Sequence, residues 1–421
     1  MKKLIIRPLD SYLVKLSEDT IPSMETRKLI SDQMMLASHE EVLELIPLSE
    51  NVFQNFEIEF PLDPSNGASL AEQEDNWGIG EKGLDVEQFW GQGITGKGIL
   101  LGIADSGLDI TLPTFMKILD PKKKFAFAEF DKNGLKIAQT DPTGQVIPDS
   151  LAKPTASHWH GTFCASIIAG HNDGKKRGVA PEASLVIAKV LQQGNIGTTA
   201  SIFSGLTWLA EQQCDVISLS LGWPGKHDVW REPIERMLKN GAVVVAAIGN
   251  ENGIPGIENT RSPANYFIAK DDYPGMLISV GAHDAAKNVA DFSGGGLVDW
   301  SNVTNMQPDG QAQPTVFSNN APFMTPDLLA PGVDIVQPIT IDRYESASGS
   351  SMATPHIAGL IGLILSAIRS VEPTAAPKKA AELVLDCLEV TQGLGQDRAG
   401  RGTVNVAYLF EQVSNILSKK Q

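Results

Sequence analysis

Only three cysteines occur in the 421 residues, at positions 164, 214 and 387, widely spaced and set among apolar neighbours. That scarcity argues against a disulfide framework or a cysteine metal site, and buried free thiols of a reducing compartment are expected. Basic residues are also short: 34 Lys and Arg stand against 50 Asp and Glu, for a formal charge of −16. Such a surface repels phosphate backbones, which argues against a nucleic-acid partner and suits a highly soluble protein. Long apolar runs are missing too. The opening Met1-Lys2-Lys3-Leu4-Ile5-Ile6-Arg7-Pro8 starts like a signal peptide, but its apolar run stops after three residues, too short for one. The stretches around Val243 and Ile357 break short of a bilayer span. No membrane segment is expected, and the cytoplasm is the expected location.

What the chain has is ordinary for a globular protein: 42% apolar residues against 20% charged, with 39 glycines and 25 prolines for tight turns. From about Lys97 onward, short β-branched runs alternate with helical patterns. Strands are expected at 98–104, 184–190, 215–219, 242–247 and 277–281, and helices at 161–169, 199–212, 232–240 and 353–369. The strands are mostly apolar throughout, as strands covered on both faces are. The expected fold is therefore α/β, a doubly wound, mostly parallel sheet with helices on both faces and function at the carboxyl ends of its strands. Residues 1–70 read as a small α+β N-terminal module, with strands at 12–16 and 55–60 and a helix at 25–36. A turn-rich linker, Pro61-Leu62-Asp63-Pro64-Ser65-Asn66-Gly67, separates it from the main domain, 71–421. Segments 122–156 and 294–325 lack periodicity and read as surface insertions.

Chemistry-bearing residues fall at the ends of these elements. Ser348-Gly349-Ser350-Ser351-Met352-Ala353-Thr354-Pro355-His356 runs from a small-residue turn into an apolar helix. It sets a hydroxyl where unpaired N–H groups and the helix dipole favour negative charge. Ser348, Ser350 and Ser351 are all eligible. Asp105 ends the buried strand Gly98-Ile99-Leu100-Leu101-Gly102-Ile103-Ala104. His160 lies at the turn into a small-residue helix, with His158, His171 and His356 as rivals, the last better suited to packing. Asn250 follows the strand at 242–247, and its amide can donate a hydrogen bond to an oxyanion.

The order Asp, His, Asn, Ser, with these flanks, resembles the subtilisin-like serine protease family. The likeness runs from about Trp77 to Gly400-Arg401-Gly402-Thr403-Val404-Asn405 and includes Gly178-Val179-Ala180-Pro181 and Ala330-Pro331-Gly332. It implies Asp105 as catalytic acid, His160 as base, Ser351 as nucleophile, and Asn250 with the Ser351 N–H at the oxyanion. An extended polypeptide substrate would pair with Ser220, Leu221 and Gly222 on one side and with the Gly194 to Gly197 edge on the other. Arg261 would border the pocket for the residue before the cut, favouring an acidic side chain there, or else would point to solvent. Asp105 and His160 are 55 positions apart, more than in compact members of the family, so segment 122–156 is expected beside the cleft. The family's calcium loop would fall at residues 171–177, which hold one carboxylate and three cations. No metal or other cofactor is expected to be required, calcium included. The N-terminal module resembles the family's inhibitory propeptide over Tyr12-Leu13-Val14-Lys15-Leu16, with a retained docking module as the alternative. Serine endopeptidase activity is the leading expectation. A peptide-maturation protease or macrocyclase, and an inactive binding homologue, are the alternatives.

Overall fold

Strands that are apolar at every position need cover on both faces, and the chain supplies it from alternating helices. The computed structural model describes residues 5–16, 34–38, 41, 49–59, 76–115, 125–140, 156–172, 175–176, 178–269, 271–306, 311–315, 317, 320–340, 343–390 and 395–419. Its N-terminal elements are β1 (Ile5–Leu16), β2 (Met34–Ser38) and β3 (Ser49–Glu59). Then follow β4 (Leu100–Asp105), β5 (Phe125–Phe130), β6 (Lys136–Gln139), α1 (Trp159–Ala169), β7 (Ser184–Lys189), β8 (Leu191–Gln192) and β9 (Ile196–Thr198). The middle of the chain forms α2 (Thr199–Glu211), β10 (Val216–Leu219), α3 (Arg231–Lys239), β11 (Val243–Ala247), β12 (Met276–His283) and β13 (Leu328–Pro331). The last elements are α4 (Ser350–Val371), α5 (Pro377–Asp386), β14 (Leu388–Glu389), β15 (Thr403–Val404) and α6 (Val406–Ser418).

The main sheet has the order β14-β15-β13-β12-β11-β10-β4-β7-β5-β6. Neighbours from β15 to β5 are parallel, and β14 and β6 are antiparallel edges. Successive side chains leave opposite faces of a strand. Leu101, Ile103, Leu185 and Ile187 accordingly join α1 and α4 in one core, while Ala104, Val186 and Ala188 join α2 and α3 in the other. The doubly wound α/β expectation is met in this sheet. Later strands add on both sides of β4, so its carboxyl end, Asp105, faces the point where the connections diverge. The three cysteines are buried and form no disulfide.

Helix α4 is longer than its expected 353–369 span. At 22 residues it is long and apolar enough to cross a membrane, yet 94% of its most apolar window is buried inside the protein. It is the central core helix, and its first turn includes Ser350 and Ser351.

Other boundaries depart further. Of the helix expected at 25–36, residues 25–33 lie outside the described residues, and Met34 to Leu36 belong to β2. Register pairing with β1, Leu36 to Leu13 and Met34 to Lys15, overrides their helical propensity. Segment 122–156 is in part no surface insertion: β5 and β6 extend the main sheet, and Phe125 and Phe127 are buried in its core. Segment 294–325 carries two short antiparallel strand pairs, Gly296–Val298 with Phe323–Thr325 and, nested between them in sequence, Thr304–Met306 with Ala312–Pro314. Its Trp300 and Phe317 are buried against Tyr266. Strands of three residues are too short to show a period.

At the N-terminus, β1 lies antiparallel between β2 and β3, and β3 pairs antiparallel with β9, setting Ile58 opposite Gly197. Ile361, fully buried in α4, gauges the main core. Ile361→Ala should cost about 2–5 kcal/mol, read by urea denaturation in a Ser351→Ala background that cannot digest itself.

Candidate active site

Asp105 is wholly buried at the end of β4. Its Oδ1 accepts a 2.6 Å hydrogen bond from the Ser106 N–H, and both oxygens lie 2.9 Å from His160 Nδ1. A carboxylate oxygen accepts here, so in the neutral ring Nδ1 carries the proton and Nε2 keeps its lone pair. His160 stands in the first turn of α1, which His158 caps by accepting from the His160 N–H at 3.3 Å. Burial, with the neighbouring His160, pushes the His158 pKa down to about 4, so the rival histidine is a neutral cap. For His160, burial alone would lower the pKa. The Asp105 charge and hydrogen bond outweigh it and raise the pKa well above 6.5. His356 is bonded to the Met352 carbonyl and to Asn76, a packing role.

Ser351 occupies the first turn of α4. Pro355, four residues on, has no N–H, so the Ser351 carbonyl cannot receive the α-helical bond due to it. Two side chains take that place: the Ser220 hydroxyl donates at 2.7 Å and the Cys164 thiol at 3.5 Å. In return the Ser351 hydroxyl donates to the Ser220 carbonyl at 3.1 Å. Cys164 Sγ is also 3.9 Å from His160 Nδ1. Burial raises the thiol's pKa, which keeps it protonated. No hydrogen bond joins Ser351 to the His160 ring. The structure brings the two elements together with the hydroxyl turned to Ser220.

Asn250 follows β11 across the helix terminus. Its Oδ1 accepts from both the N–H of Ser350, at 2.8 Å, and the Ser350 hydroxyl, at 2.9 Å. A backbone N–H can only donate, so the amide oxygen must face α4 and the NH2 group must point away. The Ser350 hydroxyl also accepts from the Gly249 N–H at 3.1 Å. Glu251 Oε2 accepts from the Asn250 N–H at 2.9 Å.

Of the two expectations for Arg261, the solvent-facing one is overturned. It does not reach solvent, and its guanidinium is not an uncompensated charge. It is buried and engages Glu251 through Nε at 3.0 Å and through Nη2. Buried charges are held in pairs because isolated ones are too costly. Ser220, Leu221 and Gly222 run beside Ser351, with the Leu221 side chain in the core. Gly194 and Gly197 lie on the β8–β9 hairpin, whose edge is paired with β3. Sequence reasoning passed over Cys164, Glu251 and Pro355. Cys164 is four residues after His160 and Pro355 four after Ser351, so helical spacing was the available signal.

Among the described residues, possible metal-ligating atoms gather within 4.8 Å at Asp105, His160 and Cys164. A cation there would have to break the Asp105–His160 bonds. In the loop expected for calcium, His171–Asn172 pairs with Lys175–Lys176, and residues 173, 174 and 177 lie outside the described residues.

A buried carboxylate behind an imidazole, with a serine at a helix N-terminus beyond, is the constellation of serine hydrolases. Comparison with known proteins narrows the class. The profile described as "Subtilase family" matches residues 96–399. The chain is 30% identical over 306 residues to the major intracellular serine protease of Bacillus subtilis (strain 168), across 72% of this chain and 78% of that one. It is 34% identical over 213 residues to subtilisin DY of Bacillus licheniformis, across 50% and 65% of the two chains. An intracellular serine protease of Paenibacillus polymyxa is 30% identical over 285 residues, across 67% and 70%. The chain belongs to the subtilase family. It is a subtilisin-like serine endopeptidase.

The carbonyl freed by Pro355 can be tested by a double-mutant cycle. Ser220→Ala should destabilise the fold by about 1–3 kcal/mol, the cost of a buried acceptor losing its partner. In a Pro355→Ala background, where the helix regains an N–H, urea denaturation should show a smaller loss.

Proposed function

We propose that Asp105, His160 and Ser351 form the catalytic triad of this endopeptidase, with the Asn250 amide and the Ser351 N–H as oxyanion donors. The observation that carries the reading is His160 Nδ1 held at 2.9 Å from both Asp105 oxygens. This fixes the tautomer whose Nε2 accepts a proton. As substrate enters, the Ser351 hydroxyl exchanges its Ser220 carbonyl partner for His160 Nε2. That carbonyl then becomes available to an N–H of the substrate strand. Ser351 attacks the scissile carbonyl, His160 takes its proton and passes it to the leaving amine, and water cleaves the acyl-enzyme by the reverse roles. Asp105 stabilises the imidazolium. Ser350 keeps the Asn250 NH2 group turned toward the oxyanion.

Ser220, Leu221 and Gly222 are proposed to receive an extended polypeptide as an added strand, with Gly194 and Gly197 on the opposite edge. Residues 1–70 are proposed as an inhibitory module attached to a peptidase domain of 71–421. The pairing of β3 with β9 supports this, because a substrate strand needs the same edge. Mass spectrometry should find the module removed in wild type and retained in Ser351→Ala. An active wild type with an intact N-terminus would make it a docking module. The chain's own side chains and one backbone N–H fill every proposed catalytic role, so neither calcium nor another cofactor is proposed to be required. A cytoplasmic location is supported by the two relatives named as intracellular. The acidic surface speaks against nucleic acid as a partner.

Asn250→Ala should lower kcat by about 10²–10³ with little change in KM, a range that comes from an oxyanion donor of subtilisin itself. The pH profile follows from His160, which works as a base only when neutral. Its pKa is raised above 6.5, so kcat/KM should fall as pH drops through a value above 6.5. An acid limb well below 6.5 would remove His160 from the role.

A further inference from the structure

Between the two chain segments that flank Ser351 lies a buried ion pair that the reaction steps do not use. Ser220, Leu221 and Gly222 run on one side, tied to the nucleophile by the reciprocal Ser220–Ser351 bonds. Gly249 and Asn250 lie on the other, tied through Ser350. On the catalytic reading above, on which this inference rests, the substrate lies along the first segment with its scissile carbonyl at Asn250. The side chain before the scissile bond then enters the gap between the segments.

That gap is filled from below. A Cβ placed on Gly222 would lie 3.0 Å from Arg261 Cβ and 3.4 Å from its Cδ. One placed on Gly249 would lie 2.9 Å from Arg261 Cγ and 3.2 Å from its Cδ. The two glycines are thus facing walls one side chain apart, and the stem of Arg261 stands between them. Its guanidinium ends on Glu251, with Arg261 2% and Glu251 3% exposed. The plug is braced at both ends. The Arg261 N–H donates to the Ile248 carbonyl at 2.9 Å, and Glu251 accepts from the Asn250 N–H.

We propose that the Arg261–Glu251 pair is a specificity plug that ends this pocket at the depth of a methyl or hydroxymethyl group. Cleavage is then confined to sites after Gly, Ala or Ser. Because each charge is matched inside the plug, the pocket attracts neither acidic nor basic side chains. A large side chain must displace a buried ion pair, an unfavourable exchange.

The test uses the full-length protein and a peptide library varied at the residue before the cut, with fluorophosphonate labelling of Ser351 as the control for a working nucleophile. Wild type should cut after Ala, Gly and Ser with kcat/KM about tenfold or more above Phe, Leu, Glu and Lys. Arg261→Gly leaves Glu251 buried and unpaired, so the deciding variant is Arg261→Gly with Glu251→Gln, which removes both charges and keeps an acceptor for the Asn250 N–H. Its Phe-to-Ala ratio should rise about tenfold or more. Wild-type cleavage after large or acidic residues as fast as after Ala, or an unchanged ratio in the variant, overturns the plug. So does a labelled enzyme that cuts no peptide, since a plug selects among peptides without abolishing cleavage. Failure of the catalytic reading looks different: Ser351 takes no label and nothing is cut.

Discussion

The site hangs on one carbonyl. Pro355 deprives the Ser351 C=O of its helical partner, and a buried acceptor must be satisfied by something. The Ser220 hydroxyl, at the start of the segment following β10, and the Cys164 thiol, on α1, both converge on it. A single vacancy in one helix therefore draws in the segment proposed to carry substrate and the helix that carries His160. Cys164 and His160 lie one turn apart on α1, so fixing the thiol against α4 also fixes which way the imidazole faces. The proline stands within the second turn of a 22-residue helix, where its lost hydrogen bond is recovered from side chains.

Charge is organised around the same terminus. The first turn of α4 offers the positive end of a long helix dipole and N–H groups without helical partners. One of them, from Ser350, donates to Asn250 Oδ1, which turns the amide NH2 away from α4; that group and the Ser351 N–H are the proposed oxyanion donors. On the other side, the Asp105 carboxylate is fully buried and so acts on His160 through a low-dielectric medium. Burial disfavours the imidazolium and Asp105 favours it, and the second wins. The Arg261–Glu251 pair adds two buried charges close to this centre but cancels them locally. The field at Ser351 is thus left to the helix terminus and Asp105.

Much of this was legible in the sequence. The all-apolar runs at 98–104, 184–190 and 242–247 demanded cover on both faces, and the strands fell there to within two residues. Strand ends and helix starts mark Asp105, Asn250, a histidine among rivals and a serine among three, and the resemblance to the family's motif order picks out His160 and Ser351. What escaped was everything decided by contact across the fold. Arg261 could be read as pocket lining or as solvent-facing because nothing local says that Glu251, ten residues earlier, turns back onto it. Segment 294–325 read as surface because Trp300 and Phe317 find Tyr266 only through tertiary packing. Met34 to Leu36 read as helix because a five-residue strand has no period to set against a chance helical one.

The N-terminal strands complete the logic of the cleft. An exposed strand edge is a template for any extended chain, and a protease that binds substrate by strand addition must keep one. Here β3 covers the β9 edge, with Ile58 opposite Gly197 and Glu59 opposite Ile196, and the Phe56 N–H donates to the Thr199 hydroxyl at the start of α2. Asn55 Oδ1 accepts from the Ala200 N–H in the same turn. The contact therefore engages the edge and the N-terminus of the following helix together, two sets of backbone groups that would otherwise need water. If the edge receives substrate as proposed, the N–H and C=O groups a substrate strand would need are the ones the protein's own strand satisfies.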